Sequence, residues 1–383
     1  MPLSTPYTIR VVSSLAEIDA SAWNGLTDGT PFLQHAFLLA LEQSNSVGQS
    51  SGWTNYALTI TDQQSSLVGA MPLYLKTHSY GEYVFDWSWA DAYAKHGLAY
   101  YPKLVSAVPF TPVTCAKLLS QSPAISGLLV QALTSLLTQH KLSSAHVLFP
   151  ADSCQPYFEE AGWLKRDGVQ FRWQNKQYSD WESFIGTLSH DKRKKIRQER
   201  KKVTNAGVTC QWLLGKDIQE ADWDFFYACY CNTYAAHYST PYLTREFFSL
   251  IGQSMPQHIL LIIAERDGQP IAATLNIFNE TTLYGRYWGA LQYVPNLHFE
   301  LCYYQAQAFC IERNIRYFEG GAQGEHKLAR GFEPRPTCSY HKIAHPEFSA
   351  AIAAFIQDES EHISAYTNEL EERVPFKRND HTL

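Results

Sequence analysis

Short apolar runs bounded by polar turns alternate along this chain with stretches in which apolar residues return every three or four positions, the pattern of a mixed α/β protein. The clearest local signal is Asp267-Gly268, set between the apolar runs Leu260 to Glu265 and Ile271 to Phe278, which predicts a tight antiparallel hairpin. Further strands are expected at Ala145 to Phe149, Gly168 to Trp173 and Ile315 to Phe318. Helical spacing covers Leu118 to His140, Gln155 to Ala161 (closed by Gly162), Trp181 to Leu188, Asp191 to Asn205, Ala221 to His237, Leu243 to Gly252 and about Leu297 to Arg313.

At a constant offset of 204 residues, Leu58 to Phe85 aligns without a gap against Ile262 to Gly289. Only Thr77/Thr281, Tyr80/Tyr284, Gly81/Gly285 and Tyr83/Tyr287 are identical, yet both segments read as strand, polar turn, strand, then a Tyr-Gly-x-Tyr strand. Two copies of one antiparallel meander are implied. They divide the chain into domains 1–170 and 171–383, with the polar Asn175 to Ser179 as the expected linker.

Composition narrows the class. The chain has 383 residues, 45% of them apolar, and a formal charge of −6, which excludes disordered and fibrous classes and suits two domains. No apolar run approaches the ~20 residues of a spanning helix, and the first residues, Met1 to Pro6, lack a secretory pattern, so a cytoplasmic protein is expected. The cysteines (115, 154, 210, 229, 231, 302, 310, 338) form no Cys-x-x-Cys pair and read as reduced thiols. Residues 1–150 hold only six basic and eight acidic side chains, so the first domain reads as a scaffold and the second as the seat of any acid–base chemistry.

Three features could carry that chemistry. Lys192, Arg193, Lys194, Lys195, Arg197, Arg200, Lys201 and Lys202 crowd one helix, 191–205, with Ser189 as its expected cap and Asn205-Ala206-Gly207 as its stop. Such a helix attracts polyanions or is simply a solvated face. Gly320 to Gly331 brings Glu325, His326, Lys327 and Arg330 together after a strand, with glycines that permit close backbone approach to a ligand. It matches neither nucleotide-loop spacing. Third, His298 and Glu300 open a helix, where an acid is favoured by the dipole and an imidazole is biased toward its neutral form. None of the histidines has zinc-protease spacing, and no metal is expected.

Gly81-Glu-Tyr-Val-Phe-Asp-Trp-Ser-Trp-Ala-Asp91, Tyr100-Tyr-Pro-Lys-Leu104, Val108-Pro-Phe-Thr-Pro112, His298-Phe-Glu-Leu-Cys-Tyr-Tyr304, Gly321-Ala-Gln-Gly-Glu-His-Lys327 and Arg330-Gly-Phe332 resemble the signature strings of the bacterial peptidoglycan biosynthesis/recognition proteins, a FemAB-like family. The resemblance covers nearly the whole chain. It implies kinship with Fem-type aminoacyl ligases and the GCN5-related N-acyltransferase (GNAT) superfamily, hence two tandem GNAT-like domains, each a mostly antiparallel central sheet flanked by helices. In Fem-type ligases a basic helical region is associated with aminoacyl-tRNA, and Lys192 to Lys202 is similar in placement. One departure concerns coenzyme A. The superfamily's Arg/Gln-x-x-Gly-x-Gly/Ala loop is replaced here by Gln292-Tyr-Val-Pro-Asn-Leu297.

The expected activity is N-acyl transfer to a primary amine by the second domain, from acyl-CoA or aminoacyl-tRNA as donor and without a tightly bound cofactor. Glu300 or His326 is the expected base, and Tyr287, Tyr303 or Tyr304 the acid for the leaving group. Arg286, Lys327 and Arg330 would hold an anionic part of a substrate, His298 and Glu325 would join them, and the non-catalytic first domain would offer Trp87 and Asp91. The opposing reading is a recognition module for a cell-wall precursor or nucleic acid that makes no bond.

Overall fold

The computed structural model describes residues 7–321 and 324–376. Two compact units make up the chain: the first takes the described residues through Gly168 together with Pro336–Ser364, and the second takes Val169–Arg335 and the described residues from Ala365. The change of unit thus falls inside the strand Leu164–Gln174. It does not fall in the polar 175–179 segment, whose Asn175 is buried and accepts the Tyr178 N–H at 3.0 Å. The expected division at residue 170 also assigned Pro336–Ser364 to the second domain, whereas these residues pack with the first unit.

In the first unit, Thr8–Val12, Ala57–Thr61, Leu67–Met71 and Leu119–Ser120 form an antiparallel sheet in that order. A second set runs Trp53–Asn55, Tyr74–Lys76, Lys103–Ser106, Ser144–Leu148 and residues 339–343, antiparallel except for the parallel pair of Lys103–Ser106 with Ser144–Leu148. The helix Pro123–Gln139 covers a core of Leu58, Ile60, Leu129 and Leu133. It starts later than its apolar spacing predicts, because Leu119 and Ser120 pair with Ala70 and Gly69 and Pro123 is preset for a first helical turn.

The second unit orders its strands Val208–Leu214, Ile259–Arg266, Gln269–Phe278, Thr282–Ala290, Tyr317–Glu319 and residues 172–174. The expected hairpin is present. Asp267 (φ 54°) and Gly268 (φ 73°) both adopt the left-handed conformation that a two-residue turn of this kind requires, and Arg266 faces Gln269. The helix Glu220–Ala236 packs on Gln269–Phe278 and Thr282–Ala290. Its approach is close because Gly289 has no side chain: a Cβ there would lie 1.9 Å from the Cys229 carbonyl oxygen.

The repeated meander is real in its first two strands and differs in its third. Tyr284-Gly285-Arg286-Tyr287 lies in the strand Thr282–Ala290, while Tyr80 to Tyr83 forms a turn with Gly81 at φ 81° and Tyr83 at φ 61°. The first copy spends those residues on a buried ion cluster instead. Lys103, fully buried, holds Glu82 at 2.8 Å and Asp86 at 2.5 Å, and Tyr100 donates to Asp86 at 2.6 Å. Burial pushes the Glu82 carboxyl up to about 7 despite the ammonium beside it. Burial also acts to raise Asp86, but Lys103 together with His146 and Ser79 outweighs it and holds that carboxyl well below its usual range.

Gly289→Ala is expected to cost about 3 kcal/mol, since the obstacle is backbone and cannot rotate away. Urea unfolding of the variant checks this; a midpoint equal to that of the parent would mean that helix and strand can move apart freely.

Candidate active site

A gap in the second sheet creates the site. Thr282–Ala290 and Tyr317–Glu319 are parallel neighbours only from Thr282/Tyr317 to Tyr284/Glu319, and the former strand then continues as Gly285, Arg286, Tyr287 and Trp288. Those four residues, with Phe318 and Gly320, line one side of a cavity of about 150 Å³ completed by Thr274, His298, Cys302, Tyr303 and Lys327. His298, Cys302 and Tyr303 come from the predicted helix, which is interrupted: Leu297–Phe299 is α, Glu300–Gln305 is a π segment and Ala306–Glu312 is α again. A π segment widens the turn and redirects successive side chains, a device found often at functional sites.

The catalytic candidates separate accordingly. The Tyr303 hydroxyl meets His326 Nε2 at 2.9 Å, and burial raises the phenol above its ordinary range. Tyr287 lines the cavity too, its ring 5.1 Å from that of Tyr230. Tyr304 turns away, giving its hydroxyl hydrogen to Glu199. Glu300 is bound on both oxygens by Arg200, at 3.0 to 3.2 Å, and receives Gln305 Nε2 at 2.8 Å. It faces the basic helix and does not line the cavity.

The expected binding residues also divide. Burial lowers Lys327 to about 8, and its ammonium lies 5.6 Å from the Phe171 ring centre. Burial lowers His298 to about 4, with His326 and the cationic Arg330 and Lys327 adding to the effect. His326 is lowered as well, by burial and then by Arg330 and Lys327. Arg286 lines the cavity with its guanidinium 5.0 Å from the Tyr287 ring. Arg330 is 3% exposed and internal: Nη2 donates to Glu199 at 2.8 Å, Nη1 donates to the His326 carbonyl at 2.7 Å, and the guanidinium stacks 3.5 Å from Phe299. Glu325 lies at the surface, paired with Arg373 at 2.8 Å and accepting Tyr366 at 3.1 Å. Trp87 and Asp91 stand on the helix Trp87–Lys95 of the first unit, both exposed. Ala322 and Gln323 of the glycine-rich loop lie outside the described residues.

The basic helix, His190–Asn205, is not solvated on all faces. Ile196, Glu199 and Val203 are buried, at the spacing of one helical stripe. Lys194, Lys195, Arg197, Lys201 and Lys202 are exposed, while Lys192, Arg193 and Arg200 are half-buried. Ser189 occupies the cap position but makes no capping hydrogen bond. Arg193 and Arg197 fold back toward Gly186 O (3.5 Å) and Glu182 (2.5 Å). Cys302 and Thr274 are lining residues that sequence reasoning missed. Cys302 lies within His298 to Tyr304 between residues of more evident chemistry, and Thr274 lies in a strand where only its paired register shows which way it faces.

Among the described residues, no group of three or more His, Cys, Asp or Glu side chains is placed to hold a metal ion, and no helix is long and apolar enough to cross a membrane. The FemAB-like family, described as peptidoglycan biosynthesis/recognition, matches residues 14–378. This chain belongs to that family. Its fold is similar to that of FemX, at 9% identity over 88% of this chain and 98% of the other, with a TM-score of 0.54. It is similar also to the C-terminal domain of a putative lysylphosphatidylglycerol synthetase from Agrobacterium fabrum, at 9% identity over 90% and 97%, with a TM-score of 0.53. A protein of unknown function from Bacteroides thetaiotaomicron is alike at 11% identity over 87% and 99%, TM-score 0.52. No curated protein sequence matches the chain. The fold is mixed α/β, in two compact units.

Half-buried His298 gives the FemAB-like chain an acid-sensitive stability. His298 titrates near 4 when folded and near 6.5 when unfolded, so between those values the unfolded chain binds a proton that the native site refuses. Stability is full above about pH 6.5 and falls as pH drops toward 4. His298→Gln should lose about 2 kcal/mol less than the parent between pH 7 and pH 5. Urea titrations at both pH values test this, and identical losses in the two proteins would show that His298 is not buried as a neutral ring.

Proposed function

We propose that this FemAB-like protein is an N-acyltransferase that moves an acyl or aminoacyl group from a polyanionic carrier to a primary amine in the cavity of its second unit. The observation that carries the reading is the Tyr303–His326 hydrogen bond at 2.9 Å, with Tyr303, His298 and Lys327 lining the same cavity. The amine nitrogen attacks the donor carbonyl, a C–N bond forms, and the carbonyl oxygen becomes an oxyanion that Lys327 and Arg286 stabilise. As the oxyanion collapses, the bond to the carrier oxygen or sulfur breaks, and that atom takes the Tyr303 hydroxyl proton. His326 accepts the proton released by the amine and returns it to Tyr303, so the dyad ends as it began. Because burial and neighbouring cations keep His326 unprotonated near neutral pH, it is ready to accept.

Glu300 then serves the site indirectly, by fixing Arg200 on the basic helix. The exposed face of that helix, Lys194, Lys195, Arg197, Lys201 and Lys202, suits the phosphates of a carrier such as tRNA or coenzyme A. The family's description, peptidoglycan biosynthesis/recognition, supports a cell-wall precursor as the bearer of that amine. On this reading the first unit makes no bond itself, no resident cofactor takes part, and the reaction is cytoplasmic.

With an aminoacyl-tRNA or acyl-CoA and an amine-bearing cell-wall precursor, His326→Ala and Tyr303→Phe are each expected to lower kcat about 100-fold. Correctly folded variants with full transfer activity would overturn the assignment, and binding without turnover in the parent would favour the recognition-only reading. Reversing Lys194, Lys195, Lys201 and Lys202 to Glu should weaken tRNA or coenzyme binding and reduce the slope of log affinity against log salt by about one for each phosphate the helix no longer neutralises. An unaltered salt slope would remove this helix from donor binding.

A further inference from the structure

The basic helix carries one acidic residue on its buried face. Glu199 sits at the centre of a stripe otherwise made of Ile196 and Val203, and it is 6% exposed. It accepts from Tyr304 and, at 2.8 Å, from Arg330 Nη2. Arg330 passes the constraint on: Nη1 binds the His326 carbonyl at 2.7 Å, its own carbonyl receives Gln307 Nε2 at 2.8 Å, and its guanidinium lies against Phe299. His326 in turn meets Tyr303. An unbroken chain of charged and hydrogen-bonded groups therefore runs from the helix to the dyad.

We propose that Glu199 is a positioning residue for the candidate site, holding Arg330, and through it His326, in place beside Tyr303. The inference rests on the second-unit cavity being the place of reaction. Glu199 touches neither the cavity nor a reacting atom in this reading. Its charge has a second effect. Facing His326 are the Tyr303 hydroxyl, the His298 ring at 6.3 Å between centres, the Phe299 ring, and the cations Lys327 and Arg330 on its own segment. The neighbouring Glu325 is engaged with Arg373 and Tyr366. Glu199 is thus the carboxylate that balances Arg330, and removing its charge exposes the imidazole to more of the guanidinium's field.

The test is an NMR titration of the full chain labelled at its histidine rings, with the His326 resonance assigned by its loss in His326→Gln. In Glu199→Gln, which keeps both hydrogen-bond partners but not the charge, the His326 pKa should fall by about half a unit or more. Glu199→Asp should restore it toward the parent value. Should Glu199→Gln not fold, Arg330→Gln gives a second reading: His326 should then titrate higher than in the parent, because the nearby cation is gone. A His326 titration unchanged in Glu199→Gln, or in Arg330→Gln, overturns the proposal. This readout needs no turnover. A shift in pKa together with full activity of His326→Ala would sink the transferase assignment and leave the coupling intact, whereas loss of activity in His326→Ala with an unmoved pKa would do the reverse.

Discussion

A guanidinium withdrawn from water must find a counter-charge and acceptors for its hydrogens, and the second unit meets that demand at the two terminal nitrogens of Arg330 while its Nε is buried without an acceptor among the described residues. At 3% exposure Arg330 cannot be solvated, so the position is tenable only while Glu199 faces it and the His326 carbonyl accepts its other nitrogen. The arrangement fixes three segments at once. The basic helix must present Glu199, the segment Glu325–Arg330 must turn its chain toward that helix, and the helix beginning at Leu297 must supply Phe299 as a stacking surface and Tyr304 as a second donor. A pairing of opposite sense joins the same elements, with Arg200 contributed by the basic helix and Glu300 by its neighbour. Each helix gives one acid or one cation to a charge it could not otherwise bury.

The same economy governs the first unit, where little charge is present and much of it lies inside. Lys76, Lys103 and Lys117 are all fully buried. Lys103 is satisfied by two carboxylates and a serine hydroxyl, and Lys117 by the carbonyls of Val113, Cys115 and Phe149. Lys76 has the Tyr80 carbonyl and the Trp53 face, and burial lowers it to about 7. Breaking an interior pair strands the remaining charge, at a cost of roughly 3–5 kcal/mol, so these residues constrain the fold far beyond their number. A scarcity of charge in the sequence therefore did not mean a scarcity of charge in the core.

What the sequence disclosed follows from range. The Asp267-Gly268 hairpin, the basic helix and the second meander are encoded by residues close together, and their boundaries in the structure fall within a few positions of those expected. Tyr80 to Tyr83 shares its pattern with Tyr284 to Tyr287 but became a turn, because Glu82 is drawn to Lys103, a partner 21 residues away. Likewise Glu300, Arg330 and Glu325 stand equally as candidates in one dimension. Only the partners that neutralise them, Arg200, Glu199 and Arg373, show which are consumed by structure. Lys327 and His298 stayed candidates because the sheet parts beside them, and where two strands separate is a matter of pairing register, which no local pattern records.

The adjacent tyrosines of the π segment show how finely that distinction is drawn. In a regular helix, residues 300 and 304 lie one turn apart on one face, and here both do look toward the basic helix, Glu300 to Arg200 and Tyr304 to Glu199. Tyr303 follows the other side of the turn, where it lines the cavity and meets His326, which stands outside the lining. Two phenols with the same chemistry, neighbours in the sequence, are thus divided between holding the site and lining it. The widened turn that separates them also accommodates Cys302 against Thr274 in the cavity wall. The π segment lets the ion pairs that support the site and the hydroxyl that faces into it come from consecutive residues, which is why support and chemistry cannot be assigned here by proximity in the chain alone.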